Sequence, residues 1–124
     1  MDGLSVNFGQ TTWKPWEDPV NGRDERVSWT TVFPRDLSPV VGIADIDPGG
    51  ALPFHHHEPA EVYHVIEGEG EVEIDGKVHR LAVGSTAYVP GGCWHETRNT
   101  GSGPMRILYF FPEARFDDVV YHFE

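Results

Sequence analysis

Three consecutive histidines, His55, His56 and His57, stand in the interior of the chain, with Glu61 and Tyr63 close behind. Imidazoles and carboxylates are ligands for divalent first-row metals, and a phenol beside such an ion has its pKa lowered and can act as a general base. A purification tag would sit at a terminus, so this internal run is either a solvated loop or a metal site. On an extended strand alternate residues share a face. His55 and His57 therefore point one way and His56 the other, and Glu61 and Tyr63 share the parity of the first pair. Pro59 interrupts ladder pairing between them, and a turn there can fold Glu61 and Tyr63 back beside the two histidines. A fourth ligand must come from elsewhere. His95 follows Pro90, Gly91 and Gly92, a tight turn that can aim the next strand inward.

The elements needed to hold such a site read as strands. From Val27 onward the apolar period is two, in VSWTTVF (27–33), VVGIADI (40–46), AEVYHVIE (60–67), EVEID (71–75), KVHRLA (77–82), STAYVP (85–90) and MRILYFF (105–111). Each is bounded by Gly, Pro, Asp or Asn. Asp75-Gly76 between two of them is a hairpin signal of the type I′ kind. No segment carries a sustained 3.6-residue apolar stripe with caps. The expectation is an all-β antiparallel sandwich or barrel over residues 27–124. Residues 1–26 are polar and turn-rich, with Trp13 and Trp16 as their large apolar anchors. They read as an N-terminal arm lying on the surface or at a dimer interface.

Charge and composition exclude some partners. Lys plus Arg is 9 against 20 for Asp plus Glu, a net charge of −11, which opposes nucleic acid and anionic membrane. No window is long and apolar enough for a transmembrane helix. The first residues lack a signal-peptide pattern, and Cys93 is the single cysteine. A cytoplasmic location is expected.

Two stretches carry a resemblance to a known family. Gly49, His55, His57, Glu61 and Gly68 fit the first motif of the cupins without a gap. Gly84, Pro90, Gly92, His95 and Asn99 fit the second, also without a gap. The resemblance implies a single-domain double-stranded β-helix, a jelly-roll barrel, holding one divalent metal (Fe, Mn, Ni, Zn, Co or Cu) on His55, His57, Glu61 and His95. Three neutral imidazoles and one carboxylate leave such an ion a charge of about +1 with one or two open positions, which suits a small carboxylate substrate.

A narrower resemblance rests on GIADIDPGGALPFHHHEPAEVY, on FPEARFDDVVYHF and on VSWTTVF. These are similar to the small cupins that cleave dimethylsulfoniopropionate. That likeness implies a lyase releasing dimethyl sulfide and acrylate by metal-assisted β-elimination, with Tyr63 as candidate base and Tyr121, brought to the pocket by the C-terminal strand, as a second candidate catalytic residue. A sulfonium needs an aromatic wall, for which Trp29, Tyr63, Tyr121 and the 105–111 strand are the candidates. A cupin dioxygenase, an isomerase or a non-catalytic small-molecule-binding cupin are the alternatives, and a homodimer is expected.

The remaining chemistry-bearing residues read as structural. His64 is out of phase with the ligand face, and His79 lies in an exposed hairpin. Cys93 reads as a small buried thiol, and Glu67, Glu69, Glu71 and Glu73 as a solvated face. Asn99 is expected to bond backbone in its turn. Gly49, Gly68, Gly84 and Gly92 are expected at turn positions.

Overall fold

A computed structural model describes residues 2–124. Eleven strands follow in chain order: β1 (Lys14–Asp18), β2 (Gly22–Thr31), β3 (Val40–Ile46), β4 (Ala51–His56), β5 (Glu61–Glu67), β6 (Gly70–Ile74), β7 (Lys77–Leu81), β8 (Thr86–Val89), β9 (His95–Arg98), β10 (Met105–Phe111) and β11 (His122–Phe123). Phe8–Gln10 and Phe116–Asp118 form single 3₁₀ turns. The strands pair antiparallel in two sheets, β1-β2-β3-β10-β5-β8 and β11-β4-β9-β6-β7. Together they make the jelly roll that the period-two pattern implies. Among the described residues no helix is long and apolar enough to cross a membrane.

Alternation sets the core. Along β10, Met105, Ile107, Tyr109 and Phe111 are buried, while Arg106, Leu108 and Phe110 face outward and are only partly covered. Val27, Ile46, Val65 and Val72 join them in the space between the sheets. Burying side chains of this size stabilises by roughly 1.5–3 kcal/mol each. Asp75 and Gly76 have φ of 50° and 85°, the positive pair that a type I′ turn requires.

The boundary drawn between residues 26 and 27 falls inside β2. Residues 14–26, read as arm, form β1 and the first half of β2 and lengthen the six-stranded sheet. The reason is tertiary. GRDER has no apolar alternation of its own, and its strand exists because β1 pairs along it. Ahead of it, Trp13 packs edge-on against Phe8, and both rings receive the Arg106 guanidinium at 5.8 and 5.0 Å. The same guanidinium makes a two-pronged pair with Asp45 at 2.7 and 2.8 Å. This part of the arm therefore covers the outer face of its own sheet.

The acidic run is more ordered than a solvated face. Arg98 on β9 binds Glu71 and Glu73 on β6 and Glu96 on its own strand, at 2.9, 3.2 and 2.7 Å. One guanidinium thereby offsets the repulsion of carboxylates brought side by side by the β6–β9 register. Glu67 and Glu69 stay exposed, as do His64 and His79. Cys93 is half-buried rather than buried.

Candidate metal centre

The turns around the site are the first thing its sequence dictates. Gly49, Gly68, Gly84 and Gly92 all adopt positive φ, between 78° and 91°, a region closed to most side chains. The Gly91-Gly92 turn lies against the segment that follows β4. Gly92 N–H donates to the His57 carbonyl at 2.8 Å, and a Cβ on Gly91 would run into the Glu58 carbonyl. Asn99 closes the other end. Its amide donates to Ile46 O at 2.7 Å and Gly103 O at 2.9 Å, and its oxygen accepts from Gly101 N–H at 2.9 Å.

These turns bring the two motifs together. His55 and His95 are direct partners across β4 and β9, with ring centroids 4.3 Å apart. The β4–β9 register slips between Leu52 and His55, around Pro53, where a residue without an N–H weakens the ladder. Each ligand-candidate ring is fixed through Nδ1 by a nearby backbone carbonyl. His55 bonds Pro53 O at 2.6 Å, His57 bonds Pro59 O at 2.8 Å and His95 bonds Cys93 O at 2.9 Å. A carbonyl only accepts, so each Nδ1 carries a proton and a neutral ring presents its Nε2 lone pair; without an ion His57 holds a second proton on Nε2 and donates it to Glu61.

One ligand atom from each of His55, His57, Glu61 and His95 lies within 4.8 Å of all the others, and all four residues are buried. Glu61 Oε1 is 3.1 Å from His57 Nε2 and 3.5 Å from His95 Nε2. His95 Nε2 is buried with no hydrogen-bond partner. A buried, unpartnered nitrogen costs stability unless something fills its lone pair. A divalent ion at the centre does so, and the donor set of three imidazoles and one carboxylate suits it.

The electrostatics agree with a site built for a cation. Burial pushes the Glu61 carboxyl up, but the His57 hydrogen bond and the close approach of the His57 and His95 rings outweigh it and hold it at about 2. Burial, with the neighbouring His95, depresses His55 from 6.5 to about 4, so that ring is neutral and ready to ligate. Burial works the same way on His57, but there the hydrogen bond and charge of Glu61 win and raise its pKa.

The cluster opens into a cavity of about 460 Å³. His55, Glu61, Tyr63, Tyr109, Tyr121 and Trp29 are on its wall. Tyr63 follows Glu61 by two residues on β5 and is 1% exposed. Burial and the Glu61 charge push its phenol well above the usual range, the opposite sense to the lowering expected beside a dication. Tyr121 sits with its ring 5.3 Å from both His55 and His57. Tyr109 is held apart from chemistry by donating to Thr30 O at 2.9 Å.

Trp29 lines the cavity with its ring engaged by two neighbours. Phe116 stacks on it at 5.5 Å and the Lys14 ammonium lies 5.9 Å from its centre. The sequence missed Trp16 and Phe123, whose rings lie 6.0 and 5.8 Å from His55. It also missed Arg35 and Asp117, paired at 2.7 Å at the cavity wall. Trp16 and Phe123 come from β1 and β11, which carry no strong strand signal. His56, the odd member of the histidine run, points away and packs on Trp94 and His122 at 4.5 and 4.7 Å.

Residues 42–111 match the cupin domain family. The chain is 36% identical over 123 residues to the dimethylsulfoniopropionate lyase DddW of Ruegeria pomeroyi, covering 98% of this chain and 71% of that protein. It is 33% identical over 87 residues to a gentisate 1,2-dioxygenase of a Ralstonia species, covering 68% of this chain and 24% of that enzyme. In fold it is like a chain from the crystal structures of the DMSP lyases RdDddP and RnDddQII. That likeness has a TM-score of 0.77 at 21% identity, over 92% of this chain and 62% of the other. Two gapless motifs meeting at one buried cluster, inside this barrel and with this similarity, place the chain in the cupin family, among the relatives of the lyase DddW.

Proposed function

We propose that the protein is a metal-dependent C–S lyase that converts dimethylsulfoniopropionate to dimethyl sulfide and acrylate. One observation carries the choice. The cupin domain match ends at residue 111 and begins at 42, so it leaves out Trp16, Trp29, Phe116, Tyr121 and Phe123. The similarity to the lyase runs over 98% of the chain and takes in the two end segments that wall the cavity.

His55, His57, Glu61 and His95 would hold the ion. When bound, a divalent ion supplies Lewis acidity to the substrate carboxylate and a positive charge that offsets Glu61 and lowers the Tyr63 phenol. Tyr63, as phenolate, takes a proton from the carbon next to the carboxylate. The electron pair of that C–H bond becomes the new C=C bond. The β C–S pair leaves on sulfur, which departs as neutral dimethyl sulfide. The proton passes from Tyr63 to solvent. The buried walls around Tyr63 exclude water from the carbanion-like transition state, and Tyr121 borders the same space.

Headspace gas chromatography tests this reading. Protein loaded in turn with each of the candidate metals is given dimethylsulfoniopropionate with and without oxygen. Sulfide release in both atmospheres is expected; none with any metal overturns it. The dioxygenase relative supports a second reading, iron-dependent oxygen consumption on a small carboxylate, which the same pair of atmospheres separates. A homodimer in the cytoplasm remains part of the proposal.

A further inference from the structure

Trp16 is held more firmly than a surface tryptophan needs to be. Its indole N–H donates to Asp18 Oδ2 at 2.6 Å. The other oxygen of that carboxylate accepts from the backbone of Val20 and Asn21, at 2.8 and 2.7 Å. Asp18 is 7% exposed. One buried carboxylate thus closes the β1–β2 turn and fixes the indole. The register of the hairpin breaks between Pro15 and Trp16, as bulges do where a side chain is re-aimed. The ring ends 6.0 Å from His55 and 5.9 Å from Phe123. Tyr121 and Phe123 stack on each other at 6.3 Å, and their rings lie 5.3 and 5.8 Å from His55.

Three aromatic rings from the two end segments therefore surround one histidine of the metal cluster. If a substrate carboxylate is held at that cluster, a group two methylenes away stands about 4 Å from it by bond lengths alone. Rings 5.3 to 6.0 Å from His55 are within reach of such a group. Ring faces attract cations, most strongly once water is excluded. Trp29 contributes less, because Phe116 and Lys14 already engage its ring. The Asp18 carboxylate behind the indole N–H adds electron density to the Trp16 face.

We infer that Trp16, Tyr121 and Phe123 form an onium subsite, in which Trp16 selects a cationic pole over an uncharged one of equal size and Asp18 is its positioning residue. This rests on the reading that a carboxylate binds at the metal cluster.

The test uses two unreactive ligands of one shape, 3-(trimethylammonio)propanoate and 4,4-dimethylpentanoate, titrated calorimetrically into metal-loaded protein. The cationic ligand should bind at least about 10-fold tighter. Trp16→Leu should bring the ratio to within about twofold, and Trp16→Phe should keep part of it. Asp18→Asn, which keeps an acceptor but loses the charge, should give an intermediate ratio. Equal affinities in the parent, or an unchanged ratio in Trp16→Leu, overturn the subsite; an unchanged ratio in Asp18→Asn overturns the positioning role. Because the readout is a ratio of affinities, a preference that is present in the parent and lost in Trp16→Leu supports the subsite even where no dimethyl sulfide is released.

Discussion

His57 Nε2 stands 3.1 Å from Glu61 Oε1, four residues along the chain, and both atoms are buried. Without an ion the pair is a hydrogen bond across Pro59. With one, both atoms become ligands. The competition between these two states governs what can be measured.

Removing a ligand should empty the site and leave the barrel standing, because the core of Val27, Ile46, Val65, Ile107 and Phe111 does not depend on it. His55→Ala, His57→Ala and His95→Ala are each expected to lose most bound metal. In the parent, saturating metal at about 100 times its dissociation constant should add about 2.7 kcal/mol of stability. Elemental analysis and thermal melting check both. Metal near one per chain in all three variants would sink the assignment.

Tyr63→Phe keeps the ring and loses one hydroxyl. If Tyr63 is the base, turnover should fall about 10²-fold or more at matched metal occupancy. If it only packs, the change should cost about 0.5–1.5 kcal/mol of stability with little effect on kcat. A kcat within threefold of the parent leaves Tyr63 as a packing residue. The outcome expected is the large loss.

Acid should destabilise the metal-free protein in two windows. Burial lowers His55 from 6.5 to about 4, so the unfolded chain binds the extra proton and stability falls as pH drops through that interval. Glu61, lowered from 4.5 to about 2, contributes stability that is complete above 4.5 and lost as pH falls through about 2. His57 acts in the opposite sense. Its pKa is raised, so its contribution is complete below 6.5 and fades as pH climbs past the folded value. His55→Asn isolates the first window. Between about pH 7 and 4 the parent should lose on the order of 3 kcal/mol more than the variant, read by urea unfolding. Parallel pH profiles would contradict this.

A homodimer is expected from one uncharged row. Val41, Phe110, Val62 and Tyr88 are successive cross-strand partners on the outward face of β3, β10, β5 and β8, and Tyr88 is 62% exposed. A row of this kind on a chain of charge −11 is a place where a second copy can pack. Light scattering should give twice the chain mass, and Tyr88→Glu with Phe110→Glu should halve it. A monomer in the parent at micromolar concentration rules it out.

What was legible in the sequence was what local chemistry enforces. The motif glycines had to be glycines because their φ is positive. Parity alone put His55 with His57, and Glu61 with Tyr63, and the structure seats all four on the inside. β1 and the Gly22–Arg26 half of β2 were not legible. Charged residues dominate both, and an edge hairpin is stabilised by its partner strand rather than by its own pattern. Trp16 and Phe123 were invisible as site residues for the same reason. Their neighbour is His55, far along the chain, and only the closed barrel brings the ends to it.

The cluster also straddles the two layers of the barrel. His55 and His95 belong to the five-stranded sheet and Glu61 to the six-stranded one. An ion there acts as a rivet through both. Prising the layers apart then requires breaking coordination, so β4, β5 and β9 should exchange their amide hydrogens as one slow unit when loaded and separately when not. Lifetime against proteases follows the same opening. The metal-free barrel should still form, but it should open more often and be cut faster.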